Sequence, residues 1–340
     1  VTFLRYLAVR LVRLVLSLIA VSIITFGLLQ LAPGNFADIT RVTSGATSIG
    51  GTGTESLLAE TQARYGADVP AWQQYLTFMK GVITWDMGPS YRYAGRAVQD
   101  IIAAAFPVSA SLALLAVILA LLIAVPLGVI AALKQNSIID HGTMLAVTLG
   151  HALPNYLIAA FLILLFTAQL GWFPSSGWAT PQHVVLPVLA LSLGPAAVLA
   201  RYVRSSMLET LREEYITAAL AKGGPQAVVI IRHALRNSLI PLVTVVGPLL
   251  AALMTGTVFV EALFRIPGLG YYAATAAASR DMPLLMGTVL FFAVIVMVMN
   301  LLVDLIYGVL DPRIRAQGGW TRSRPRRVST GHQPVTGQSV

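Results

Sequence analysis

The chain has 340 residues, of which 56% are hydrophobic and only 11% charged; a soluble domain carries about 25% charged residues, so the balance excludes an ordinary soluble enzyme and points into a bilayer. The net charge of +9 reads as a topogenic bias toward one side of the membrane rather than as a nucleic-acid footprint, because the apolar runs leave too little continuous soluble surface. Without any cysteine there is no disulfide, thiolate nucleophile or Cys-ligated zinc.

Six apolar segments are long enough to span, near residues 11–32, 108–133, 143–170, 184–203, 239–263 and 284–309. The first follows arginines, as a signal peptide does. It is too long for one and lacks a small-x-small cleavage site, so it reads as a retained helix. Pro126, Pro154, Pro187, Pro195 and Pro248 interrupt the others, which membrane helices tolerate where neighbours satisfy the freed carbonyls. With the N-terminus inside, only Arg41, Arg64, Lys80, Arg92, Arg96, Arg265 and Arg280 of the 23 lysines and arginines fall outside. Five of these lie in one long loop, which counts little in the positive-inside rule. Both termini are therefore expected in the cytoplasm. The chain divides into residues 1–33 (N-terminus and first span), 34–106 (external insertion), 107–310 (membrane core) and 311–340 (basic, disordered tail).

The insertion opens with a Gly/Ser/Thr tract at 43–54 and continues into a short amphipathic helix bearing Leu57, Leu58 and Tyr65. Trp72, Tyr75, Phe78, Trp85, Tyr91 and Tyr93 then crowd a short stretch. Such aromatics suit a small fold at the membrane interface and equally a docking surface for an external partner. In the tail, Arg322, Arg324, Arg326 and Arg327 fit either a topogenic role or contact with anionic lipid.

Between the fourth and fifth spans, residues 204–238 are too polar to cross. Leu208, Leu211, Tyr215 and Ala218/Ala219 recur at helical spacing. Gly223 is placed to end that helix in a left-handed turn, and Gly224-Pro225 to start a second one. The second helix carries Arg232, His233, Arg236 and Asn237 before Pro241 leads into the membrane. The product is a helix–turn–helix elbow at the membrane surface. It could simply lie on lipid, but Ala218, Ala219 and Ala221 offer little apolar area for that. Their small face suits close approach of a protein groove.

The stretch E-Y-I-T-A-A-L-A-K-G from Glu214 to Gly223, followed by R-H-A-L-R-N-S-L-I-P, resembles the EAA loop of ATP-binding-cassette importer permeases, and more closely that of the oligopeptide/dipeptide permease family. The likeness covers about residues 5–315 and rests on several further motifs. Leu31-Ala32-Pro33-Gly34 resembles the exit of that family's first helix, and Gly88-x-Ser90 the motif before its second. Gly171-Trp172-Phe173-Pro174, Ile266-Pro267-Gly268-Leu269-Gly270 and Leu310-Asp311-Pro312-Arg313 are similar to later loops and the ending. Thr217 and Leu220 stand where the family often has basic residues, Gly224-Pro225 replaces its usual pair, the 43–54 tract is longer than usual, and the tail past Arg315 is an addition.

The resemblance implies an all-α polytopic membrane protein of six spans with a cytoplasmic coupling loop, in a bacterial inner membrane. It implies a permease subunit, not an enzyme, of a binding-protein-dependent importer of oligopeptides or dipeptides; nickel or another small solute is the alternative cargo. Its implied partners are a second related permease, two ATPase subunits or one fused ATPase, and an external substrate-binding lipoprotein. ATP and Mg would be bound by the partners, so this chain has no cofactor of its own. Glu214, Tyr215, Ala218, Ala219, Ala221, Lys222, Gly223, Arg232, His233, Arg236, Asn237 and Pro241 would couple to the ATPase. Trp72, Tyr75, Trp85, Gly88, Ser90, Pro267 and Gly268 are candidates for docking the external protein. Two observations of the residues agree. The chain has no G-x-x-x-x-G-K-[ST] phosphate loop of its own. An ion-coupled secondary carrier would need midplane ionisable groups and inverted repeats, and neither is clear. Asp304, the one acid expected inside a span, is a pathway candidate, although its place near the helix end also lets it reach water.

Overall fold

A computed structural model describes residues 2–31, 69–93 and 95–310, with side chains at 8–31, 69–93, 95–239, 242 and 244–303. The 43–54 tract, the helix expected around 57–65 and the tail after 310 lie outside the described residues. Among the described residues the regular structure is helical. In order come α1 (Thr2–Leu31), α2 (Ala71–Thr84), α3 (Val98–Leu133), α4 (Ile138–Ala152) and α5 (Asn155–Leu162). A wide, π-helical stretch, Ile163–Gln169, prolongs α5. Then follow α6 (Pro181–Leu211), α7 (Glu214–Ala221) and α8, which starts at Gln226–Val229 and runs through a π-helical turn, Ile230–Leu235, to Arg236–Ser238. Last are α9 (Ile240–Gly256), α10 (Val258–Phe264), α11 (Leu269–Ser279) and α12 (Met282–Leu310).

Four helices are long and apolar enough to cross a membrane alone, and the count reaches the expected six when α4 with α5, and α9 with α10, each make one bent span. The bends are 100° and 47°. The third span, expected over 143–170 with Pro154 interrupting it, is thus sharply bent. Pro154 cannot donate to the preceding turn and stands at the start of α5 in an extended conformation, so the helix breaks there.

The helix that holds the second span is longer than the apolar run over 108–133: α3 begins at Val98 and reaches Leu133, 36 residues, or about 54 Å at 1.5 Å per residue. Pro107 and Pro126 both lie inside it. The backbone N–H of Val98 donates to the Gly88 carbonyl at 3.0 Å, which ties the start of α3 to the loop before it.

The core is the pair α3–α6. Ala120, Ala124 and Ala132 of α3 share a buried cluster with Ala196, Ala197, Leu199 and Ala200 of α6. Small residues let the two backbones approach. A side chain at Gly128 would sit 2.7 Å from the Ala200 carbonyl and 2.7 Å from Val203 Cβ, so only glycine fits there. Toward the other end of α3, Ile101, Ile102 and Leu112 pack with Phe264, Leu269 and Leu284 from α10, α11 and α12. α1 is peripheral. It leans on α12, while Val12, Leu16, Ile24 and Leu28 remain exposed for lipid or another chain.

Candidate functional site

The elbow between α6 and α9 is built on an apolar underside. The helix expected to run from Leu208 through Tyr215 is broken. α6 ends at Leu211, Arg212 and Glu213 turn, and α7 restarts at Glu214. The break rotates the register, so the inward residue is Ile216, 3% exposed, while Tyr215 is 42% exposed. Ile216, Val229 and Ala234 are buried with Met207 and Leu242, and half-buried Ala219 packs against them. Burying a residue such as Ile216 contributes about 1.5–3 kcal/mol, so the elbow is seated rather than hanging free.

The turn is fixed by backbone geometry. Gly223 has φ +80°, a region that a side chain resists. Its N–H donates to Leu220 O at 2.9 Å, and that of Gly224 to Ala219 O at 3.3 Å, which satisfies the carbonyls left at the end of α7. A Cβ on Gly224 would come within 3.0 Å of that same carbonyl and 3.1 Å of Val229 Cγ2. The two limbs are also joined by side chains. Ser206 Oγ donates to Ser238 O at 2.9 Å, and Asn237 Nδ2 donates to the Tyr215 hydroxyl at 2.8 Å.

The outer surface presents Glu214, Tyr215, Ala218, Ala221, Lys222, Gly223, Arg232, His233, Arg236 and Asn237, all exposed. Ala219, expected on this small face, is turned half inward by the register. Pro241 sits in the first turn of α9, and its side chain is not among those described. No nucleophile–base pair converges on the elbow, and among the described residues no group of His, Asp or Glu could hold a metal ion. Chemically, the elbow offers a firm contact surface of charged and small residues, with Leu220, Val228 and Ile231 also exposed on it.

On the opposite face of the bundle, the seven docking candidates separate. Trp72 and Trp85 are 65% and 50% exposed, and Pro267 is exposed. Tyr75 is half-buried, with its hydroxyl 2.7 Å from Ser22 Oγ and its ring edge-on to Phe26 of α1. Gly88, Ser90 and Gly268 are buried, so they serve as internal anchors rather than as outer surface.

What they anchor to could be seen only in three dimensions. Asp281, fully buried, accepts from Ser90 Oγ, from the Arg92 N–H at 3.1 Å and from the Leu284 N–H at 3.2 Å. It thereby caps α12 and pins the 88–93 loop to it. Glu261, also fully buried, accepts the Gly270 and Tyr271 N–H groups at 2.8 and 3.2 Å, a carboxylate at the N-terminus of α11. Asp140, 2% exposed, accepts two hydrogen bonds from Arg204, both 2.6 Å. Each acid had a sequence signal: Glu261 inside V-F-V-E-A-L-F, Asp140 three residues after the helix-capping Ser137, and Asp281 ahead of Met-Pro at a helix start. The backbone of Asp304, the acid expected inside a span, does lie in α12; its side chain is outside those described.

Comparison with known proteins follows this geometry. Residues 124–316 match the family described as binding-protein-dependent transport system inner membrane component, and residues 3–113 match the N-terminal family of the same systems. The dipeptide transport system permease protein DppB of Bacillus subtilis (strain 168) is 39% identical over 311 residues, covering 92% of this chain and 98% of that protein. The oligopeptide transport system permease protein OppB of Haemophilus influenzae is 34% identical over 314 residues, covering 92% and 99%. Among solved structures, a chain of the MetNI methionine ABC transporter in inward-facing conformations superposes with a TM-score of 0.52 at 18% identity, covering 62% of this chain and 96% of that one. That likeness concerns the fold.

Proposed function

The chain belongs to the binding-protein-dependent transport system inner membrane component family, as an importer permease of the dipeptide/oligopeptide kind, and from that premise we propose that it forms half of an ATP-driven peptide pathway. The other half is a second, related permease. The 204–238 loop faces the cytoplasm with both termini and receives an ATPase subunit, one of a pair or one half of a fused protein. An external substrate-binding lipoprotein delivers the cargo. ATP and Mg sit on the ATPases, and this chain performs no catalysis.

The observation that supports the reading best is the elbow itself. Its apolar underside is buried in the bundle, its turn is locked by a left-handed glycine, and its outer face is small at Ala218 and Ala221 and charged at Glu214, Lys222, Arg232 and Arg236. A surface helix that only rests on lipid keeps its apolar side free of protein; here Ile216, Val229 and Ala234 are taken into the bundle, while Leu220, Val228 and Ile231 stay exposed beside the charges as apolar contacts for a partner. Closure of the ATPases would move the seated elbow and α6 together, a rigid-body switch between two packed states. The exposed Trp72, Trp85 and Pro267, on the face opposite the elbow, are the surface offered to the external protein.

Co-expression with the neighbouring permease, ATPase and binding-protein genes tests this. The complex should copurify and, in proteoliposomes, accumulate a labelled dipeptide only with ATP and the binding protein. A solitary chain that accumulates solute in response to a proton gradient would refute the reading.

A further inference from the structure

α4 runs beside α6 and touches α3, yet most of its surface is open. Of its 15 residues only Asp140 and Val147 are buried, while Ile138, Leu145 and Leu149 are 91%, 62% and 58% exposed. Its far end stops at the 100° bend before α5. At its near end the hydrogen-bonded tie to α6 is one ion pair. Arg204 Nε meets Asp140 Oδ1 and Arg204 Nη2 meets Asp140 Oδ2, each at 2.6 Å, a two-pronged fork that fixes angle as well as distance. The Asn136 N–H donates to the same carboxylate at 2.9 Å, which brings the α3–α4 turn into the clamp.

Arg204 opens the 204–238 segment while still on α6, seven residues before that helix ends at Leu211, about 10 Å at 1.5 Å per residue. Two residues further along, Ser206 holds the far limb of the loop through Ser238 O. A continuous set of bonds therefore runs from the loop's exit limb, through α6, to the inner end of the bent span. A buried ion pair gives little net stability compared with an apolar contact of equal size. What the fork supplies that a leucine pair would not is a fixed orientation between α4 and α6.

We propose that Asp140 and Arg204 are positioning residues for transport, joining the inner end of α4 to the loop-bearing helix so that displacement of the loop swings α4 about the bend at Pro154. This rests on the reading of the chain as an ATP-driven permease. It adds the element through which the loop's movement reaches a pathway-forming span.

The test uses the full reconstituted complex and measures cargo taken up per ATP hydrolysed, alongside the yield of assembled complex. Asp140→Asn and Arg204→Met should each lower the ratio at least tenfold while the ATPases still copurify and hydrolyse ATP. The double variant should be no worse than either single one, because both remove the same link. A ratio within twofold of the parent in the assembled single variants, or losses that multiply in the double variant, overturns the proposal. If unpaired charge prevents the single variants from assembling, Asp140→Leu with Arg204→Met leaves none buried and must show the same low ratio; a normal ratio there also overturns it. A purely structural fastener would change yield and leave the ratio per assembled complex unchanged. If the parent complex takes up no cargo with ATP, the functional reading fails, and this inference with it, which is distinguishable from variants that behave like an active parent.

Discussion

The two ends of the bundle hold their polar excursions by opposite means. On one face, the 88–93 loop and the first turn of α11 are fastened by buried carboxylates, Asp281 and Glu261, which accept backbone and hydroxyl hydrogen bonds. On the other, α7 and α8 of the elbow are seated by apolar side chains, Ile216, Val229 and Ala234, and the charges from Arg212 to Arg236 point outward. Hydrogen bonds to a buried carboxylate are directional and costly to lose. Apolar seating is tolerant of small shifts, since burial is non-directional. The first arrangement suits a part that keeps its shape. The second suits a part that is pushed as a unit while its outer face engages another protein.

This contrast can be broken by substitution. The largest effect is expected at Asp281→Ala, which orphans Ser90 Oγ and the N–H groups of Arg92 and Leu284. At about 1–3 kcal/mol for each unsatisfied buried donor, the variant should lose at least about 3 kcal/mol, seen as a lower melting temperature and reduced folded yield. Next comes Gly223→Asp. Its φ of +80° makes a side chain cost about 1 kcal/mol, and aspartate is among the residues that tolerate this region. Insertion should survive and uptake should fall at least tenfold with ATP hydrolysis retained; normal transport would remove the elbow from the coupling scheme. Glu261→Gln keeps shape but removes the charge facing α11, and should cost about 1 kcal/mol, in the range for a charge at a helix N-terminus, read in the same melting assay. Tyr215→Phe deletes only the exposed hydrogen bond to Asn237 and should change stability by no more than about 0.5 kcal/mol. A larger loss would mean that the elbow depends on directional bonds after all.

Much of this architecture was legible in the residues. Composition and span length are one-dimensional quantities, so the helical membrane class and the six spans, once the bent pairs are counted, could be read directly. The left-handed turn at Gly223 was also local and readable. What escaped depends on partners distant in sequence. The apolar run of the second span begins near residue 108, yet α3 starts at Val98, because packing against neighbours decides how far a helix continues. The break at Arg212–Glu213 shifts the buried face from Tyr215 to Ile216, and periodicity cannot show a register change between two helices. Ser90 and Gly268 looked like surface because their stretches are loop-like; Asp281, 191 residues from Ser90, takes that side chain inside, and Gly268 lies against Ser109, 159 residues away. Asp140 and Arg204 are 64 residues apart, and neither alone announces the other.

The central claim is that the exposed face of α7 meets an ATPase. A cysteine at Ala218, which is exposed where Ala219 is half-buried, can be introduced freely because the chain has none of its own. Paired with single cysteines along the ATPase surface in the assembled complex, it should form a disulfide with one groove position in high yield. A cysteine replacing the buried Ile216 should form none. If Ala218→Cys crosslinks to no ATPase position and is instead labelled by a thiol-reactive lipid probe to the same extent in the complex as in the isolated chain, the elbow lies on the membrane surface and the account is wrong.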